Sequence, residues 1–153
     1  MTRAIILAAG QGTRLRPLTN NKPKCLIPLQ GKTFLERQAN VLKRAGVRDL
    51  LVVGGYRVDL IKKAGFNCMV NPQYESTNMV DTLFRGISFI ELGGDLIIGY
   101  GDIIYQIDNL NQVLACKDEI GVMVDHNWSR YWELRFSDPL EDAETFVTDS
   151  EGY

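Results

Sequence analysis

Short apolar runs alternate with amphipathic segments along this chain, and no other feature constrains its fold as much. Each apolar run has the length of a buried strand, and the segments between the runs carry apolar residues at helical spacing. Such alternation favours an α/β fold with a mainly parallel sheet and helices on both of its faces. We expect strands at about 3–9, 49–54, 66–71, 95–100 and 119–125.

Helix-start signals mark the segments between these runs. Thr33, with a glutamate three residues later, forms a capping box, and a second, short helix is expected over 56–64. Asn78 is expected to cap a third helix, and Asp108 a fourth that runs to about Cys116. We expect the third helix to bury a face formed by Val80, Leu83, Phe84, Ile87 and Ile90.

The loops that follow the expected strands hold many of the chain's glycines and polar residues. In a parallel sheet the carboxyl ends of the strands lie at one edge, and ligands bind beyond that edge. We therefore expect four loops to meet there, namely 10–24, 54–56, 71–78 and 101–102.

The first of these loops, residues 10–24, combines glycines with basic residues that no acidic residue of the loop balances. Gly10 and Gly12 let backbone N–H groups approach a phosphate closely, and basic side chains would neutralise the phosphate charge. An ordinary turn with solvated basic residues is the alternative. The basic side chains in question are Arg14, Arg16 and Lys24.

The spacing in this loop differs from that of two common phosphate-binding motifs. A P-loop needs a Gly-Lys-Ser/Thr ending, which does not follow Gly10. A dinucleotide fingerprint needs a third glycine where Leu15 stands, and an acid at the end of the second strand, which here ends in Gly54-Gly55. Pro17 also disfavours helical geometry at the preceding residue. The loop therefore does not run straight into a helix.

Composition limits the class of protein. The chain has 153 residues and a formal net charge of −2, which argues against a general nucleic-acid binder, since such proteins carry a basic surface. Its three cysteines lack metal-ligand spacing and indicate reduced thiols. The sequence has neither a signal-peptide pattern nor a run of membrane-spanning length. We expect a cytoplasmic protein with no nucleic-acid or membrane partner; assembly into a homo-oligomer stays open.

The first loop and its neighbours resemble the signature of a known family. The string Leu-Ala-Ala-Gly-Gln-Gly-Thr-Arg-Leu-Arg-Pro-Leu-Thr at 7–19, closed by Pro23-Lys24, is similar to that of nucleotidyltransferases that join a nucleoside triphosphate to a phosphorylated small molecule. Residues 71–79 and 128–145 look most like phosphocholine-type cytidylyltransferases of surface-polysaccharide pathways. The resemblance covers essentially the whole chain and extends through residues 53–56, 74–79 and 100–102.

The resemblance implies both a fold and an activity. The fold would be a Rossmann-like three-layer sandwich of the nucleotide-diphospho-sugar transferase type, with a mainly parallel sheet that is mixed at the edge. A single domain would span 1–153, with a nucleotide-binding half at about 1–125 and the start of an acceptor region at about 126–153. The activity would be Mg²⁺-dependent transfer of a nucleotidyl group, with CTP favoured, to a small phosphorylated acceptor. The alternatives are a sugar-1-phosphate uridylyl- or thymidylyltransferase and a catalytically incomplete nucleotide-binding fragment.

The resemblance also implies residue roles. Lys24 is expected to contact the α-phosphate or the acceptor phosphate, and Arg14 to clamp the β- and γ-phosphates. Asp102 is expected to hold Mg²⁺, although an acid after a strand is otherwise a helix cap or a turn residue. Asn78 would bind the base, cap its helix, or do both. The remaining nucleotide contacts implied are Leu7, Ala8, Ala9, Gly10, Gly12, Thr13, Gly54, Thr77 and Gly101.

The end of the chain is polar and aromatic with no clear period, and we expect the acceptor wall there. Aromatic faces and acids would suit an ammonium head group, and arginines its phosphate; tryptophans that cover a sheet edge are the alternative. Residues 149–152 indicate a turn into a further strand, so a truncated chain is expected. Family members usually supply a second metal-ligating acid from later in the chain, and none is found here. The acceptor candidates are Trp128, Arg130, Trp132, Arg135, Asp142 and Glu144.

Overall fold

A parallel sheet organises the first part of the protein. The computed structural model describes residues 1–143, and the chain forms two units, the first being Met1–Cys116 and the second beginning at Lys117. Short 3₁₀ turns at Thr13–Leu15 and Lys24–Leu26 follow the first strand. The elements of the first unit are β1 (Arg3–Ala8), β2 (Pro28–Leu29), β3 (Lys32–Thr33), α1 (Phe34–Arg44), β4 (Asp49–Gly54), α2 (Val58–Lys63), β5 (Cys68–Val70), α3 (Met79–Phe84), α4 (Ile87–Ile90), β6 (Leu96–Tyr100) and α5 (Ile107–Ala115).

The strand order of the main sheet is β5–β4–β1–β6, and every neighbouring pair is parallel. In this register Leu7 of β1 lies between Val53 of β4 and Tyr100 of β6. The expected α/β class with its mainly parallel sheet is confirmed. Within residues 1–143 the main sheet has no antiparallel edge strand; β2 and β3 form a separate antiparallel pair.

Helices cover both faces of the sheet because neighbouring residues of β1 point to opposite sides. Ile6 belongs to a buried cluster that includes Leu35 of α1 and Leu110 of α5. Ile5 belongs to a second cluster, against which Leu83 of α3 packs. All six residues of β1 are buried, as expected for a central strand covered on both faces.

The expected helix starts are confirmed at Thr33 and Asn78 and wrong at Asp108. The Thr33 hydroxyl accepts a hydrogen bond from the Glu36 N–H at 3.1 Å, and the Glu36 carboxylate accepts one from the Thr33 N–H at 2.7 Å. The Thr33 N–H and the Thr33 hydroxyl, at 2.9 Å, both donate to this carboxylate and hold the pKa of Glu36 below its usual value. Asp108 lies in the first turn of α5, where the side chain of Asn109 caps the N–H of Gln106 instead.

The expected burial of the third helix is only partly right. The segment breaks into α3 and α4 at Gly86, where an added Cβ would lie 3.2 Å from Ile5 Cδ1 and 3.3 Å from Leu51 Cδ2. Glycine thus lets the backbone approach the sheet closely, and the break interrupts the helical period. Leu83 and Ile90 pack against the core, but the other expected core residues are exposed, namely Val80, Phe84 and Ile87.

The strand expected at 119–125 is wrong. In the described part of the second unit this segment pairs with no other strand, and its apolar residues Ile120, Val122 and Val124 are exposed. Without a hydrogen-bonded neighbour, an apolar alternation does not make a strand. That unit contains a helix, α6 (Trp128–Glu133), and a 3₁₀ turn at Pro139–Glu141.

Across residues 1–143, no helix combines the length and apolar character that a membrane crossing requires.

Candidate active site

The order in which strands are added to the sheet reverses beside β1. From β1 the chain adds β4 and β5 on one side and then returns to place β6 on the other. The loops after β1 and β6 therefore leave neighbouring strands, which is where parallel sheets bind ligands. The Gly101 N–H donates to the Leu7 carbonyl at 2.8 Å. A Cβ at Gly101 would lie 2.9 Å from that of Ala8, so only glycine fits this approach.

Lys24 and Asp102 meet at this edge although 78 residues separate them. The Lys24 Nζ donates to Asp102 Oδ2 in a direct ion pair. The two side chains are 34% and 35% exposed, so solvent and ligands reach both. The structure thus joins the expected phosphate-contacting lysine to the expected metal-holding carboxylate.

Gly12 sets the position of the Lys24 side chain. Its φ of 74° lies in the left-handed region, which glycine adopts without strain. A Cβ on Gly12 would lie 3.0–3.2 Å from the Cβ, Cγ and Cδ atoms of Lys24. The fully buried Thr19 donates its hydroxyl to the Gly12 carbonyl at 2.9 Å. The loop therefore guides the aliphatic part of Lys24 toward Asp102.

The loop after β4 is fitted against the same edge. The Tyr56 N–H donates to the Ala9 carbonyl at 2.9 Å. A Cβ on Gly55 would lie 2.6 Å from Tyr74 Cβ and 2.8 Å from the Ala9 carbonyl oxygen. Gly10, in contrast, has nothing within 4 Å of the position of an added Cβ. Neighbouring atoms of the protein fill the space beside Gly55, whereas the space beside Gly10 is open for a ligand.

Two glycine substitutions should separate these roles. We expect Gly55→Ala to lower the free energy of unfolding by about 1–3 kcal/mol, since backbone and Tyr74 atoms must move. Gly10→Ala should change it by less than about 0.5 kcal/mol, while weakening nucleotide binding because the methyl group enters the open space. Urea denaturation and calorimetric titration with CTP measure the two effects. Equal losses of stability in both variants would contradict this assignment.

The loop after β5 is organised by Asn71, a residue that the sequence analysis missed. Its side chain is fully buried and donates to Thr77 Oγ1 at 2.9 Å and Thr82 Oγ1 at 3.0 Å. Asn71 Oδ1 accepts from the Gln73 N–H at 3.1 Å. The available signal was a polar residue at the carboxyl end of an expected strand. Asn71 holds the expected nucleotide residue Thr77 in place.

Asn78 acts as a helix cap. Its Oδ1 accepts from the N–H groups of Val80 at 2.9 Å and Asp81 at 3.0 Å, and the Asp81 carboxylate accepts from the Asn78 N–H. The capping alternative is therefore confirmed. A contact between Asn78 and the base stays a prediction.

The two arginines of the first loop lie at its surface. Arg14 is exposed on the 3₁₀ turn Thr13–Leu15. Arg16 is also exposed, and its guanidinium donates to Gln11 Oε1 at 3.0 Å. The structure places both on the loop that carries the glycines, with phosphate contacts remaining a prediction.

Cys25, beside Lys24, is a buried core residue. Burial raises the pKa of its thiol to about 12. Cys25 therefore acts as a packing residue of the core.

The acceptor candidates lie in the second unit and form local contacts there. The rings of Trp128 and Trp132 meet edge to face with centroids 6.2 Å apart. The Arg135 guanidinium lies 5.7 Å from the centre of the Trp132 ring. Arg130 and Asp142 are exposed, and Glu144 and the turn expected at 149–152 lie outside the described residues. The two tryptophans contact each other, and both the acceptor role and the sheet-covering alternative stay predictions.

Residues 4–137 match the family model of the MobA-like NTP transferase domain. The CTP:phosphoglutamine cytidylyltransferase of Campylobacter jejuni is 42% identical over 151 residues, which cover 93% of this chain and 60% of that protein.

Two solved structures share the fold. The inositol-1-phosphate CTP transferase from T. maritima has a TM-score of 0.65 at 28% identity, over 78% of this chain and 50% of that one. The CTP:phosphocholine cytidylyltransferase of Streptococcus pneumoniae has a TM-score of 0.59 at 33% identity, over 70% and 50%. The chain thus spans about half to three-fifths of the length of these relatives.

Proposed function

The chain belongs to the family of MobA-like NTP transferase domains, and from that premise we propose that it transfers a cytidylyl group from CTP to a small phosphorylated acceptor and releases pyrophosphate. Three relatives support this choice, because each is named as a CTP-using transferase with a phosphorylated substrate. Sugar-1-phosphate uridylyl or thymidylyl transfer is the alternative.

The observation that carries the proposal is the ion pair between Lys24 and Asp102 at the carboxyl edge. The pair lies where the loops after β1 and β6 leave adjacent strands. It sets an ammonium beside a carboxylate, both partly exposed, at the edge that carries Gly12 and Gly101. Such an arrangement suits a ligand that carries both phosphate and a metal cation.

The reaction needs positioning and charge neutralisation more than proton transfer. The second pKa of a phosphate monoester is about 6, so the acceptor oxygen is already a nucleophile at neutral pH. It attacks the α-phosphorus of CTP, the bond from that phosphorus to the bridging oxygen breaks, and pyrophosphate leaves with the electron pair. The protein therefore has to hold the phosphates in line and stabilise their charge.

Lys24 would stabilise charge on the α-phosphoryl group as the reaction proceeds. Its ammonium is a compact charge on a flexible stem, and its exposed end is free to turn from Asp102 to a phosphate oxygen. Arg14 would bind the β- and γ-phosphates with its planar guanidinium. Backbone N–H groups near Gly10 and Gly12 would add donors that require no side-chain reorganisation.

Asp102 fits the role of a magnesium-holding carboxylate. The Lys24 ammonium already occupies a cation position against it. Residues 1–143 contain no group of three or more histidine, cysteine or acidic side chains that would form a metal cage. Magnesium bound through one or two carboxylates and the substrate phosphates needs no such cage. When bound, Mg²⁺ would neutralise charge on the triphosphate.

The choice of base and acceptor is part of the proposal. Asn78 and Thr77 lie on the loop after β5 and would face the cytosine. Backbone groups of Leu7–Gly10 and Gly54 would contact it, with open space at Gly10. Acceptor contacts are proposed for Trp128, Arg130, Trp132 and Asp142, whose aromatic and charged groups suit an ammonium-bearing phosphate ester.

Pyrophosphate release tests the function directly. CTP, UTP and dTTP are each combined with phosphocholine, phosphoethanolamine or a phosphorylated amide in the presence of Mg²⁺. We expect release with CTP and at least one of these acceptors, and thermal stabilisation by CTP. Stabilisation by UTP or dTTP but not by CTP would contradict the cytidylyl assignment. Nucleotide binding without turnover would favour the incomplete-fragment alternative.

A further inference from the structure

Tyr56 is the last residue of the motif at 53–56, and the proposed chemistry gives this tyrosine no role. It follows Gly54-Gly55 at the end of β4 and is half-buried. No proposed phosphate, metal or base contact uses it. Its two hydrogen bonds, however, both go to the neighbouring loop that carries the glycines and Arg14.

These bonds reach opposite ends of that loop. The Tyr56 N–H donates to the carbonyl of Ala9, where the loop begins, at 2.9 Å. The Tyr56 hydroxyl donates to the carbonyl of Asn20, near the end of its exposed stretch, at 2.5 Å. One residue therefore connects both ends of the 9–20 segment to the edge of the sheet.

The contact with Asn20 continues into the loop interior. Thr19, next to Asn20, donates its hydroxyl to the Gly12 carbonyl at 2.9 Å, and Gly12 packs on the aliphatic part of Lys24. Asn20 directly follows Thr19, which holds Gly12. Fixing the Asn20 backbone therefore also restrains Thr19. The phosphate loop and Lys24 are linked to Tyr56 by consecutive contacts.

The ring of Tyr56 is itself held in place. Gly55 allows the chain to pass close to Ala9 and Tyr74, and the Tyr56 and Tyr74 rings lie with centroids 6.4 Å apart at 59°. The tyrosine side chain has few rotatable bonds, so its hydroxyl is held at a defined position with little loss of entropy.

We propose that Tyr56 is a positioning residue that pre-forms the triphosphate-binding loop by anchoring its far end through the Asn20 carbonyl. This inference rests on the proposed function, since it names the residue that prepares the same site. A loop that is already ordered in the free protein loses less conformational entropy when the ligand binds. The affinity for the ligand is therefore higher. Tyr56 touches no reacting atom and acts through the loop.

Tyr56→Phe tests the proposal because it removes only the hydroxyl. Tyr74→Phe is the matched control: among residues 1–143, the Tyr74 hydroxyl donates only to the side chain of its exposed neighbour Glu75. For Tyr56→Phe we expect the Kd for inorganic tripolyphosphate, measured by calorimetry, to rise about fivefold, the effect of one neutral hydrogen bond. The KM for CTP should rise similarly, with kcat within about twofold and the melting temperature nearly unchanged. Tyr74→Phe should resemble the wild type.

Hydrogen exchange gives a readout that needs no turnover. The amides of Leu15, Arg16, Leu18 and Asn20 donate to carbonyls within the loop, and they should exchange faster in Tyr56→Phe but not in Tyr74→Phe. Unchanged exchange and unchanged tripolyphosphate affinity would overturn the proposal, as would faster exchange spread evenly over the sheet. If the wild type binds tripolyphosphate without releasing pyrophosphate from any nucleotide, the proposed function fails, while the two variants still decide the role of Tyr56.

Discussion

Lys24→Met should lower turnover by about 100- to 1,000-fold, the usual cost of losing a preorganised group that stabilises transition-state charge. Methionine keeps an unbranched side chain in the space beside Gly12, where an added Cβ would meet the lysine stem, but it removes the ammonium. The melting temperature should fall by only a few degrees, because a partly exposed ion pair contributes little to stability. Steady-state pyrophosphate release and thermal denaturation measure the two quantities.

Lys22→Met is the matched control, since it removes the same charge from the same loop two residues away. We expect its turnover to stay within a few-fold of the wild type. A melting temperature that drops by many degrees in Lys24→Met, with an unchanged rate, would show that Lys24 is structural. Equal loss of activity in both variants would indicate that only the overall charge of the loop matters.

Asp102→Asn should have effects of opposite sign on binding and on turnover. The substitution removes a negative charge that repels phosphate and releases Lys24 from its ion pair. In the presence of EDTA, inorganic tripolyphosphate should therefore bind several-fold more tightly, an effect that added salt weakens by screening. Turnover with Mg²⁺ should fall by about 100-fold or more, because an amide is a poorer ligand than a carboxylate for a hard cation.

Asp108→Asn provides the control for this pair of effects. Asp108 is exposed in the first turn of α5, so its loss removes the same charge without touching Lys24. Its tripolyphosphate affinity and its turnover should stay close to those of the wild type. Asp102→Asn with full Mg²⁺-dependent turnover would contradict the assignment of Asp102, and so would metal-free binding that weakens.

The sheet and the edge where its loops meet were predictable because they follow from local patterns. Each strand of the main sheet is a short run rich in apolar residues, fully buried in β1 and mostly buried in β4, and loops after parallel strands must share an edge. This reasoning located β1, β4, β5 and β6, together with the loops that carry Gly10 and Asp102. The capping box at Thr33 was equally local, since its partners stand three residues apart.

The rest depended on contacts that a single sequence does not reveal. The pairing of Lys24 with Asp102 joins positions far apart in the chain, and residue type alone does not identify such partners. The break at Gly86 reflects its close approach to Ile5 and Leu51, which helical periodicity does not detect. The segment 119–125 has the alternation of a strand, but the described chain offers it no partner.

The burial of Cys25 has a consequence for how the protein withstands chemical attack. Oxidants and alkylating agents react with thiolates far faster than with thiols. With a pKa of about 12, this sulfur is almost wholly protonated at neutral pH, and its surroundings exclude reagents as well. The residue next to Lys24 is thus shielded from peroxide damage and cross-linking, and maleimide dyes aimed at the exposed Cys116 would leave the 10–24 loop untouched.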